Sequence, residues 1–151
     1  DVKILKRESS AETKFDLFQR LNSYGSVLTP QEIRSALLVG ANPAFFDWIE
    51  QLARRDSFVS TVRLSERLLD ERYDLELILR FLVLHNWPAA DIRPKALRDF
   101  STVLDDASLV LAGAFDGVRD SLEAVFDTTF EVINEHGGED IFRPRAGNSF
   151  P

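Results

Sequence analysis

Arg20, Asn22, Glu32 and Arg34 flank one glycine-containing turn in the stretch Phe15 to Leu37. Two guanidinium groups beside an amide and a carboxylate could converge to hold a phosphate, a carboxylate or a partner strand, because a guanidinium presents a fixed fork of donors. The same four residues have a plainer account. Glu32 would cap its own helix, Asn22 would end the preceding one, and the arginines would tie the two helices together. Caps and inter-helix pairs far outnumber ligand sites, which weights the reading toward the plainer account.

Other polar groups carry less chemistry. Asp70, Arg72, Asp74, Glu76 and Arg80 cluster before an apolar run, and Glu76 and Arg80 stand four apart in the orientation of a helix-surface ion pair. The carboxylate pairs Asp105-Asp106 and Glu139-Asp140 fall where helix boundaries are expected, and acids suit caps there. Arg54, Arg55, Arg63, Arg93, Lys95 and Arg98 would form a basic face only if the fold gathered them; dispersed surface cations account for them equally. There is no Walker loop, GxGxxG, nucleophile elbow or zinc spacing. Cysteine is absent and the two histidines lie far apart, so no catalytic, cofactor-binding or metal-ligating residue is assigned.

The chain has 151 residues, of which 44% are hydrophobic and 28% charged, enough to bury the core of one domain. Its formal charge of −7 opposes broad contact with a phosphate backbone. A helix-turn-helix reader is disfavoured as well, since Ser23 to Thr29 exceeds the usual turn of about 3–4 residues. The most apolar run, Leu75 to Leu84, is too short for a membrane span and contains Glu76 and Arg80. No amino-terminal signal pattern is visible, and a cytoplasmic protein is expected.

The elements that would position these residues are nearly all helical. Val2 to Leu5 is β-compatible. Ser9 and Glu12 then form a capping box before Ala11, Phe15, Phe18 and Leu21, and Asn22 to Gly25 stops that helix. Thr29, Pro30 and Glu32 start a second helix, with Ile33, Ala36 and Leu37 as its apolar stripe and Gly40 as its end. Asn42-Pro43 starts a third, containing Phe45, Phe46, Trp48, Ile49, Leu52 and Ala53, with Arg54 and Arg55 in its last turn. Asp56 to Thr61 reads as a polar connection, and Leu64 to His85 as one helix, apolar on most faces after Leu75 and therefore central. Pro94 opens a helix holding Leu97, Phe100, Val103 and Leu104, which Asp105 and Asp106 separate from a long last helix, Ala107 to Glu135. The expected fold is an all-α irregular bundle of about six helices.

Four segments resemble a known family. Phe18-Gln-Arg-Leu-Asn22, Gly25, and Leu28-Thr-Pro-Gln-Glu-Ile-Arg34 with Ala36-Leu37 are similar to the F-x-R-[LI]-N-x-x-G-x-x-L-x-x-x-E-[IL]-R-x-A-L segment of the domain-of-unknown-function family numbered 262. Arg72 to Leu82 looks like that family's R-x-D-x-E-x-x-L-R-F helix, Phe100 to Leu104 resembles the stretch after it, and Phe142-Arg143 is similar to its late F-R. The family includes the S part of GmrSD-type, modification-dependent restriction systems and related anti-phage proteins.

The resemblance implies a division of labour. In the family, nuclease or nucleotide-hydrolysing chemistry is associated with an amino-terminal ParB/sulfiredoxin-like part carrying a D-G-Q-Q-R-type motif, and some members add an HNH nuclease; neither motif occurs here. The chain would be the helical region that follows. Residues 1–8 would hold the last strand of the ParB-like part, 9–136 the helical domain and 137–151 an irregular tail. The ParB-like domain would be its partner, DNA would be met through the parent protein, and nucleotide and divalent metal would be cofactors of that parent. Arg20, Asn22, Glu32 and Arg34 would face the ParB-like domain. The rival expectation is a helical interaction or oligomerisation module pairing through Ala107 to Glu135.

Overall fold

The computed structural model describes residues 28–87, 99–137 and 141–142. The Val2 to Leu5 strand, the Ser9 helix, Arg20 and Asn22, the Pro94 helix start and most of the expected tail lie outside the described residues. Within them are six helices and no strand: α1 Pro30–Ala41, α2 Pro43–Ala53, α3 Asp56–Val62, α4 Glu66–Asp70, α5 Tyr73–Asn86 and α6 Phe100–His136. The all-α bundle is as expected, although the six helices are not the six read from the sequence.

The first two starts follow from local chemistry. The Thr29 hydroxyl accepts from the Glu32 amide at 3.2 Å while the Glu32 carboxylate accepts from the Thr29 amide at 2.7 Å, a complete capping box, with Pro30 at the first helical position. Asn42 caps α2 through its side-chain oxygen, which accepts from the Phe45 amide at 3.1 Å. Its side-chain nitrogen donates to the Ala112 carbonyl at 2.8 Å, so the same residue fastens the α1–α2 corner to α6.

The structure departs from expectation at five places. Helix α1 runs through Gly40 to Ala41, because a lone glycine lowers helix propensity without forbidding the conformation. Asp56 to Thr61 is the helix α3, formed because Phe58 is buried against Phe126 and Phe130, with centroid distances of 5.7 and 5.0 Å; tertiary burial outweighs a polar local sequence. The arginines expected in the last turn of α2 lie beyond it, at the α2–α3 corner.

The expected Leu64 to His85 helix is broken. The apolar positions of α5, if continued backwards, would pass through Glu71 and Arg72, and charged residues there would face the core. Instead the chain turns at Arg72, whose φ of 56° is left-handed, and α4 leaves the body. In contrast, Asp105 and Asp106 separate nothing: α6 continues through them for 37 residues. Asp105 is neutralised by Arg34, and the buried positions Leu104, Ser108, Leu111, Phe115, Leu122, Phe126 and Phe130 keep one face across the expected gap.

Helix α6 is the spine. Arg34 of α1 meets Asp105, Phe45 of α2 packs edge-on to Phe115 at 5.4 Å, and Phe58 of α3 reaches Phe126 and Phe130, so the first three helices line it in chain order. Helix α5 packs on the same face, contributing buried Leu75, Ile78, Leu79, Leu82 and Val83 to one continuous core. The Arg80 guanidinium carbon lies 5.7 Å from the Phe100 ring, while the ring of the adjacent Phe81 lies 5.6 Å from Phe126. A straight helix would hold residues 100 and 126 about 39 Å apart. Two neighbouring side chains cannot span that distance, so α6 curves around α5.

Candidate functional site

The buried face of α1 is not the expected stripe. Gln31, Arg34, Leu37 and Leu38 are buried, whereas Ile33 is half-buried and Ala36 exposed. Two polar residues thus occupy the amino-terminal half of a core-facing stripe, and a buried cation requires partners.

Arg34 finds them on two other helices. Its side chain is 1% exposed; Nε donates to Oδ1 of Asp105 on α6 at 2.7 Å, and Nη1 donates to Oε1 of Gln31 at 2.5 Å. Nη1 also stands 3.6 Å from Oε2 of Glu76 on α5, and Nη2 reaches the Ser101 hydroxyl at 3.5 Å. Glu76 in turn holds Arg80 at 2.5 Å, one turn later on α5. The Arg80 guanidinium lies over the rings of Tyr73 and Phe100, at 5.9 and 5.7 Å from their centroids. Two arginines and two carboxylates thus balance in charge and join three helices.

This arrangement positions helices rather than reactants. The three nitrogens of Arg34 all have partners in the fold, which leaves no free fork for a phosphate or carboxylate. No nucleophile stands against a base within the array. Among the described residues there is no cluster of three or more histidine, aspartate or glutamate side chains placed to hold a metal ion.

Of the four residues singled out in the sequence, the described region contains Glu32 and Arg34 and does not bring them together. Two positions apart on a helix, they face nearly opposite ways: Glu32 closes the cap and Arg34 enters the core. The expected Glu76–Arg80 pair is present, but Glu76 serves two arginines. Asp105, expected at a helix boundary, is instead the closest ionic partner of Arg34. The readable signal was an arginine three and four positions before Leu37 and Leu38, on their face; its partner, 71 residues away, had none.

A second charged group ties α2 and α3 to the middle of α6. The Trp48 indole donates to Oε2 of Glu123 at 3.1 Å, Arg55 pairs with Oε1 of the same carboxylate, and Arg55 Nε lies 3.4 Å from Asp127. Arg119 approaches Glu123 at 3.8 Å. Glu123 and Asp127 are therefore half-buried partners, while Asp116, Asp120 and Glu131 remain exposed. Of the residues suggested for a basic face, Arg54 lies 3.9 Å from Glu50 and Arg55 faces α6, while Arg93, Lys95 and Arg98 lie outside the described residues. Among the described residues no helix is long and apolar enough to cross a membrane. Compared with protein-family models, with curated proteins and with solved structures, the chain matches none.

Proposed function

We propose that this chain is the helical, non-catalytic part of a modification-dependent restriction or anti-phage defence protein, where it supports a ParB-like nuclease or nucleotide-hydrolysing domain that lies outside these residues. The observation that carries the reading is the fate of the family-like motif. Its Thr29, Glu32, Arg34 and Leu37 are occupied in a cap, a buried ionic array and the core, as a supporting element requires. Arg34 then acts by positioning α5 and α6, and direct contact with the neighbouring domain falls to Arg20, Asn22 and Glu32. Nucleotide, divalent metal and DNA belong to that domain, in a cytoplasmic protein. The test is an assay of this chain alone and joined to a ParB-like domain. The isolated chain is expected to cleave neither DNA nor nucleotide and the joined protein to do so; activity in the isolated chain overturns the reading, as does an active ParB-like domain indifferent to it.

A second reading, an interaction or oligomerisation module, is favoured by the outer face of α6. Val110 is 71% exposed there, and a Cβ added at Gly113 or Gly117 would meet nothing within 4 Å. Light scattering across a concentration series checks it, since a monomer at every concentration excludes self-association.

A further inference from the structure

Residues 63–72 stand apart from the rest of the body. Both ends turn at a non-glycine residue in the left-handed region, Arg63 with φ 45° and Arg72 with φ 56°. Side chains crowd the backbone in that conformation, and such residues persist only where their surroundings hold them. Between them lies α4, none of whose residues is buried, and Leu69 is 46% exposed. None of these ten residues belongs to the core cluster or packs against it, and α4 leans chiefly on α5.

An ion pair ties this segment to α2. Arg72 Nη2 meets Oε1 of Glu50 on α2 at 2.9 Å, and its Nε lies 3.6 Å from Asp74; Glu50 also faces Arg54 at 3.9 Å. The segment's own hydrogen bonds are short-range: the amides of Leu69, Glu71 and Arg72 donate to Ser65, Arg67 and Leu69. At its far end the Arg72 carbonyl accepts from the amides of Leu75 and Glu76 at 3.2 and 3.4 Å, one residue from the Tyr73 ring under Arg80.

We propose that residues 63–72 are a strap that releases from the helical body as one unit, turning at the two left-handed arginines and held closed by the Arg72–Glu50 pair. Release costs no core contact and relieves two strained backbone positions. It also removes the carbonyl that anchors the first turn of α5, so the strap's position is communicated to Glu76 and through it to Arg34 and Arg80.

Native-state hydrogen exchange on the whole chain tests this. The amides of Leu69, Glu71, Arg72, Leu75 and Glu76 are expected to exchange together, at least roughly tenfold faster than those of residues 78–83. Glu50→Gln, which keeps the side chain's shape and removes its charge, should speed that group severalfold and leave 78–83 unchanged. Strap amides that exchange only in step with 78–83 would show opening by global unfolding and overturn the proposal. So would a Glu50→Gln variant whose strap exchanges at the original rate, or Leu75 and Glu76 amides that follow α5 instead of the strap.

Discussion

Arg34 is a charge in the place of a core leucine, and its energetics depend on what is removed. Truncation leaves Asp105, 29% exposed, without its cation, and Glu76, 15% exposed, with Arg80 alone. Breaking a buried pair in this way costs about 3–5 kcal/mol, and the partial exposure of Asp105 puts Arg34→Ala toward the lower end. Arg34→Met combined with Asp105→Leu, which replaces the pair by apolar volume, is expected to cost less than Arg34→Ala alone, as read by urea unfolding. The buried hydroxyls behave oppositely. Ser108 is fully buried and Thr61 nearly so, and neither hydroxyl has a hydrogen-bond partner among the described residues. Ser108→Ala and Thr61→Val should therefore each stabilise the fold by about 1 kcal/mol, visible as a higher urea midpoint at constant slope.

At the scale of helices, the glycines of α6 give a clean test. Gly113 and Gly117 sit mid-helix with open space where a Cβ would be, so Gly113→Ala and Gly117→Ala should each raise stability by about 0.8–1 kcal/mol. A drop in either variant would mean that something packs closely on that face in solution. How much of this architecture was legible depends on the range of the forces involved. Thr29, Pro30, Glu32 and Asn42 announce their helices because a cap is completed within four residues. Phe58 does not announce α3, since the helix exists for the sake of rings some seventy positions later. Asp105-Asp106 reads as a break because aspartates are poor helix formers, and the distant Arg34 neutralises the first of them. The candidate site shows the same limit: Glu32's role was written beside it, whereas Arg34's could not be completed without α5 and α6.

For the molecule as a whole, the decisive fact is that three helices from the first half dock on one helix from the second. A chain ended at Trp87 would keep α1 to α5 and lose the surface that covers Phe45, Trp48, Phe58 and Phe81. Such a truncation is expected to lose the tryptophan near-ultraviolet circular dichroism and the cooperative unfolding transition, while retaining some helical signal; a cooperative, dispersed fold in the truncated chain would contradict the spine role of α6. The order of synthesis then becomes part of the protein's physics. The ribosome delivers residues 30–86 before α6 exists, and completing His136 takes a further roughly 3–10 s at 5–20 residues per second. During that interval a nascent chain carries uncovered aromatic side chains, so its yield in a cell should respond to chaperone supply and translation speed more than its finished stability would suggest.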